Sequence, residues 1–222
     1  MKKTVWKLLV VLGVVMLLSA GGLCVYNMRE SSEAFRRSQE VLGELKDIIP
    51  EAPPVTENTT EAVQPSSEDL FSPYEETTEA ATEPMETVMV GGSSYCGYVT
   101  LSSLGIELPV TDSWSYEKLK YSPCLYSGTA EGHDMIIAAH NFNSHFGRIK
   151  ELSQGDELWF TDVSGARTKY AVSYTETVSG TDAEHMREGG GKDWDLTLFT
   201  CTLNGQSRVA VRAVIDEDRG EA

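Results

Sequence analysis

Between Pro50 and Val90 the chain carries ten carboxylates, six of its eight prolines and neither Lys nor Arg. With few large apolar side chains, such a stretch cannot bury enough surface to offset the entropy of ordering it, and like-charge repulsion extends it. A disordered linker over residues 50–94 is therefore expected, and folding is confined to what lies on either side. Although 222 residues could form two domains, one compact domain is the expectation. The linker also holds most of the formal net charge of −16, so the acidity belongs to a segment rather than to a binding face. No Lys/Arg cluster accompanies a pI of about 4.6. Nucleic acid is excluded as a partner, because phosphate binding needs concentrated positive charge.

On the N-terminal side, Val5 to Tyr26 is an apolar run whose one charge is Lys7. At ~1.5 Å rise per residue it can span a hydrocarbon core of ~30 Å, and residues 1–26 read as a membrane anchor. Leu18-Ser19-Ala20 offers the rival reading, a cleaved signal peptide. Lys2, Lys3 and Lys7 on the N-terminal side are balanced by Arg29, Arg36 and Arg37 close to the other, so charge leaves the orientation open. Phe35, Leu42 and Ile49 then recur every seven residues with Val41, Leu45 and Ile48 between them. That pattern predicts a juxtamembrane amphipathic helix over 27–49, read as a stalk.

Beyond the linker, short β-rich runs alternate with Gly, Asp, Asn and Ser. Strands are expected at Gly97–Leu101, Ile106–Val110, Met135–Ala139, Glu157–Thr161, Lys169–Thr177, Leu196–Thr200 and Arg208–Ile215. Brief helical patterns fall near Tyr116–Tyr121 and Asp182–Arg187, and there is no strand–helix alternation. A mainly β domain, a small barrel or sandwich, is expected over residues 95–216, followed by a tail over 217–222.

Three residues sit where apolar strands end or begin. His140 closes Met135 to His140, Cys201 closes Leu196 to Cys201, and Arg208 opens Arg208 to Arg212. A thiolate is a good nucleophile, an imidazole can protonate a leaving amine, and a guanidinium offers a planar fork of donors to an oxyanion. Together these groups suffice for acyl transfer. Residue types alone also allow Cys201 to be a packed core residue, His140 a satisfied polar group and Arg208 a surface charge. The four cysteines, Cys24, Cys96, Cys124 and Cys201, form no C-x-x-C pair and suggest neither a zinc site nor a disulfide framework. His133 and His145 lie near His140, but H-x4-H followed by no Glu does not match a helical zinc site, and His145 and His185 are expected in solvent-facing loops.

Thr197-Leu198-Phe199-Thr200-Cys201 resembles the T-L-x-T-C signature of the sortases, membrane-anchored cysteine transpeptidases of Gram-positive bacterial surfaces. Ile136-Ile137-Ala138-Ala139-His140-Asn141 is similar to the family's strand ending in its catalytic His. Phe146-Gly147-Arg148-Ile149, Gly155-Asp156-Glu157 and the opening hairpin from Gly97 to Val110 extend the likeness over roughly Tyr95 to Ile215. The seven-residue spacing between Cys201 and Arg208 is shorter than the family commonly has, which leaves the subclass open. The resemblance implies a closed, mostly antiparallel β-barrel of seven to eight strands with short helices. It implies Cys201 as nucleophile, His140 as acid and base, and Arg208 as the group steadying the substrate carbonyl, with Thr200 lining the same site. Arg208 is preferred to Arg212, which would be a same-face neighbour. The implied substrates are secreted surface proteins carrying a C-terminal sorting signal, and the implied acceptor is a cell-wall precursor or pilin amine. No metal or organic cofactor is required. The N terminus would lie inside, with the domain extracellular and the linker acting as spacer. The competing class is a membrane-tethered, non-catalytic β-domain that binds a surface ligand.

Overall fold

The structure is a computed structural model and describes residues 2–50, 85–188, 193–202 and 205–216. Most of the expected linker and the tail 217–222 lie outside the described residues. The alternating apolar runs of the C-terminal half form strands, because period-2 patterning gives each strand one face to bury. They are β1 (Val88–Val90), β2 (Ser93–Leu101), β3 (Ile106–Thr111), β4 (Cys124–Ser127), β5 (Met135–Ala138), β6 (Glu157–Asp162), β7 (Arg167–Ser179), β8 (Leu196–Cys201) and β9 (Ser207–Ile215). Two short helices, α2 (Tyr116–Leu119) and α3 (Ala183–Glu188), join them. Both fall where the helical patterns predict.

The strands run in the order β2-β3-β4-β5-β8-β9-β7-β6, and β6 pairs back onto β2. Closure leaves a mixed barrel of eight strands, with β1 added to β2 as a hairpin. Two pairings are parallel, β3 with β4 and β5 with β8. Val99, Leu101, Leu108, Met135, Ile137, Phe160, Leu196, Leu198 and Val211 fill the interior. A second cluster lies on the outer face of β5, β8 and β9, where Ile136, Ala138, Phe199 and Ala210 are covered by Met186 of α3 and by Trp194.

Arg212 holds that cover in place. It is fully buried and donates to Glu176 Oε1 (2.9 Å), Thr197 Oγ1 (2.7 Å) and the carbonyls of Met186 and His185 (2.8 Å each). Its guanidinium also lies 5.0 Å from the Trp194 ring centroid. Same-face placement with Arg208 is as expected, but Arg212 is a buried fastener of α3 rather than a spare surface charge. A planar fork suits it to pinning two carbonyls, a hydroxyl and a carboxylate at once.

One continuous helix, α1 (Lys2–Ile48), contains both the apolar run and the juxtamembrane segment. Its last turns lie on the barrel, where Leu45 and Ile49 are buried against Val90 and Tyr95. The buried face is Ala34, Ser38, Leu42, Leu45 and Ile49, while Phe35 and Ile48 of the expected heptad stay exposed. A straight helix of 3.6 residues per turn drifts off a seven-residue repeat, so the docked stripe departs from it. Pro50 abuts Gly165 and Met85 packs against the main core. Pro50 and Met85 therefore both sit on the barrel, and the barrel rests on the last turns of α1.

Candidate active site

Strand register brings the three sequence-predicted residues to one end of the barrel. β5 and β8 run parallel with Ala138 opposite Phe199, and the Ala139 amide donates to the Phe199 carbonyl (3.1 Å). β5 ends at Ala138, and His140 follows two residues later at the end of the barrel where β8 closes with Cys201. β9 returns antiparallel from that end with Arg208 as the partner of Cys201. Phe199 and Ala210 share the outer cluster, so period 2 puts Cys201 and Arg208 on the same outer face.

Each residue of Thr197 to Cys201 has its own use. Thr197 receives Arg212, Leu198 enters the core, and Phe199 packs outward, edge-on to Tyr126 (centroids 5.4 Å apart). Thr200 is buried and donates to the Ala139 carbonyl (2.8 Å). Alternation turns it to the barrel interior, so it ties the ends of β8 and β5 together instead of lining the Cys201 side. Cys201, last in the strand, is half-buried.

The His140 ring stacks on Phe142, with centroids 4.6 Å apart and 18° between planes. The loop carrying it folds back tightly, the Phe146 amide donating to the His140 carbonyl (3.1 Å). Gly147 permits this, since a Cβ there would lie 2.4 Å from the Asn141 carbonyl oxygen. Arg208 Nη1 donates to the carbonyls of Gly205 (3.0 Å) and Ser207 (3.1 Å), and would be 3.2 Å from a Cβ on Gly180 just beyond β7. Its guanidinium thus leans over its own turn toward the β7 side.

Cys96 and Cys124 are fully buried. Burial pushes the Cys96 thiol up to about 12 and raises that of Cys124, which disfavours the thiolate each would need as a nucleophile. Among the described residues no three His, Cys, Asp or Glu side chains gather as a metal site. His133 is exposed beside Asp195 (Nδ1 to Oδ1 3.1 Å), and His185 pairs with Glu176 (2.7 Å).

His145 departs from its expected surface position. It is fully buried, neither ring nitrogen has a hydrogen-bond partner, and its ring meets Phe142 edge-on at 5.7 Å. The folding of the loop after His140 buries it, and its polar ring carries no local sign of that. Burial, with a smaller contribution from His140, lowers its pKa from 6.5 to about 4. The unfolded chain therefore takes up this proton below pH 6.5, while the folded chain resists until near pH 4. Stability is lost as pH falls through that window, by about 2 kcal/mol at pH 5. Urea unfolding of His145→Phe should show a flatter pH dependence between 6.5 and 5 than wild type. Equal slopes would mean that His145 is not the buried proton acceptor.

The sortase domain model matches residues 99–216, from the middle of β2 to the end of β9. The chain belongs to the sortase family. It is therefore a cysteine transpeptidase of the class that acts on sorting signals. Among solved structures, sortase C1 from Streptococcus agalactiae is similar at 24% identity and a TM-score of 0.51, covering 59% of this chain and 72% of that one. Sortase A from Corynebacterium diphtheriae is similar at 20% identity and a TM-score of 0.50, covering 59% and 64%. These likenesses concern the fold of the sortase domain. No curated protein matches the chain.

Proposed function

We propose that Cys201, His140 and Arg208 carry the transpeptidation, the reading supported best by the register that brings β5, β8 and β9 to one barrel end. The Cys201 thiolate attacks a backbone carbonyl carbon of a sorting signal near the C terminus of a secreted protein. The tetrahedral intermediate collapses as its C–N bond breaks, and the leaving amine takes a proton from His140. The acyl group is then a thioester on Cys201. An incoming amine attacks the thioester carbon and yields its proton to His140, and the thiolate departs. A cell-wall precursor or pilin side chain supplies that amine, and water in its place gives hydrolysis. Arg208 swings from the Gly205 and Ser207 carbonyls to the oxyanion. The apolar part of α1 is retained as a single-pass anchor, with the N terminus inside and the barrel outside the cell.

Incubating the full chain with sorting-signal peptides and an amine should yield an acyl adduct on Cys201 and a joined product, both visible by mass. Absence of both across a peptide library would favour the non-catalytic surface domain. Arg208→Lys keeps the charge but loses the fork, so turnover should fall by about 10²- to 10³-fold, the usual loss for one oxyanion donor. Undiminished turnover would remove Arg208 from the mechanism.

A further inference from the structure

The contacts between α1 and the barrel act as a ruler. The apolar run ends at Tyr26, and the helix continues unbroken to Ile48, so distance along its axis follows from ~1.5 Å per residue. Ser31 lies 3.5 Å from Ser144, in the loop after His140. Arg37 lies over Tyr121 at 4.7 Å, and Gln39 donates to the Glu107 carbonyl at 2.9 Å. Leu45 and Ile49 meet Val90 and Tyr95, and Pro50 meets Gly165. Counted from Tyr26, these stations stand about 7.5, 16, 20, 28 to 34 and 36 Å along the axis. The barrel is thus fastened to α1 lengthwise, with the His140 loop at the anchor end and the Gly165 turn at the other.

The interfacial layer on each side of the hydrocarbon core is about 5 to 7 Å thick. The Ser144 station at about 7.5 Å therefore stands at the outer edge of the headgroup layer. Tilt of the helix only brings it lower. Residues Asn141 to Ser144 are uncharged, and Asn143 is exposed. We infer that the His140 end of the barrel rests against the headgroup layer of the bilayer that holds α1, so that whatever the site acts on reaches it along the membrane plane. This rests on the reading of α1 as a retained anchor. The ligand of this surface is the lipid headgroup region, and docking of α1 sets the height.

The test uses the full chain with Cys24→Ser and Cys201→Ser, in vesicles of phosphatidylcholine and phosphatidylglycerol with or without a nitroxide on the headgroup. A fluorophore is placed through Asn143→Cys or, at the far turn, through Ala166→Cys. Headgroup nitroxide should quench the label at 143 at least twofold and leave that at 166 unchanged. Seven residues inserted between Tyr26 and Ser31 add nearly two whole turns, keep the docked face and lift the barrel by about 10 Å. Quenching at 143 should then largely vanish. A chain that does not float with the vesicles overturns the anchor reading, and this inference with it. A chain that floats but shows equal quenching at 143 and 166, or quenching at 143 indifferent to the insertion, overturns this inference alone.

Discussion

Cys201→Ala should abolish thioester formation while the barrel stays folded. The side chain ends β8 on the outer face, half-buried and outside both clusters that hold the sheet together, so removing its sulfur leaves no core cavity. No other thiol is positioned to replace it. Cys96 and Cys124 are sealed from solvent, their thiols bonded to the carbonyls of Val110 and Ser122 at 3.5 Å each. Cys24 lies in the apolar part of α1. Without the nucleophile no covalent intermediate exists, so loss should reach the detection limit rather than a fixed fold-change. Intact-mass analysis after incubation with a sorting-signal peptide reads the adduct, and circular dichroism reads the fold. An adduct persisting on Cys96 or Cys124 would show that the wrong thiol has been assigned.

The second large effect is expected from His140→Ala, with turnover falling by about 10²- to 10⁴-fold, the usual worth of a positioned proton donor and acceptor. The ring makes one aromatic contact, with Phe142, so truncation costs the fold little. A sharper signature lies in the leaving group. An amide nitrogen must be protonated as it departs, whereas an activated ester leaves without help. Acylation of His140→Ala by an activated ester should therefore recover most of the rate lost with the amide. His133→Ala, whose ring is exposed beside Asp195, should be near wild type. A loss confined to His133→Ala, or an ester no better than the amide, would move the acid and base role away from His140.

Much of this barrel is legible locally. Seven strands and both short helices follow from alternation and turn residues, because half-burying a strand leaves a period-2 trace. β4 leaves a weaker one. Only Cys124 of its four residues is fully buried, and it joins the sheet through a single parallel partner, Thr111 with Cys124, and a shifted antiparallel pairing. β1 has just three residues, at the end of the acidic stretch. The signal for it was Gly91-Gly92 between apolar runs, both with positive φ as a tight hairpin turn requires.

The sequence by itself determined which residue types stand at strand ends, in the order His140, Cys201, Arg208, because strand ends and their side-chain parity are set by neighbours along the chain. Tertiary structure alone decided what covers each face. Arg212 and Arg208 share a strand and a face, yet α3 folds over one and leaves the other half-exposed. Thr200 and Cys201 are adjacent, but only pairing with β5 shows that the Thr200 hydroxyl is consumed by the Ala139 carbonyl. His145 is buried because the loop after His140 closes on itself. The seat of α1 on β1 and β2 likewise joins residues some 50 positions apart. Such contacts are fixed by the packing of distant segments, and no period along the chain encodes them.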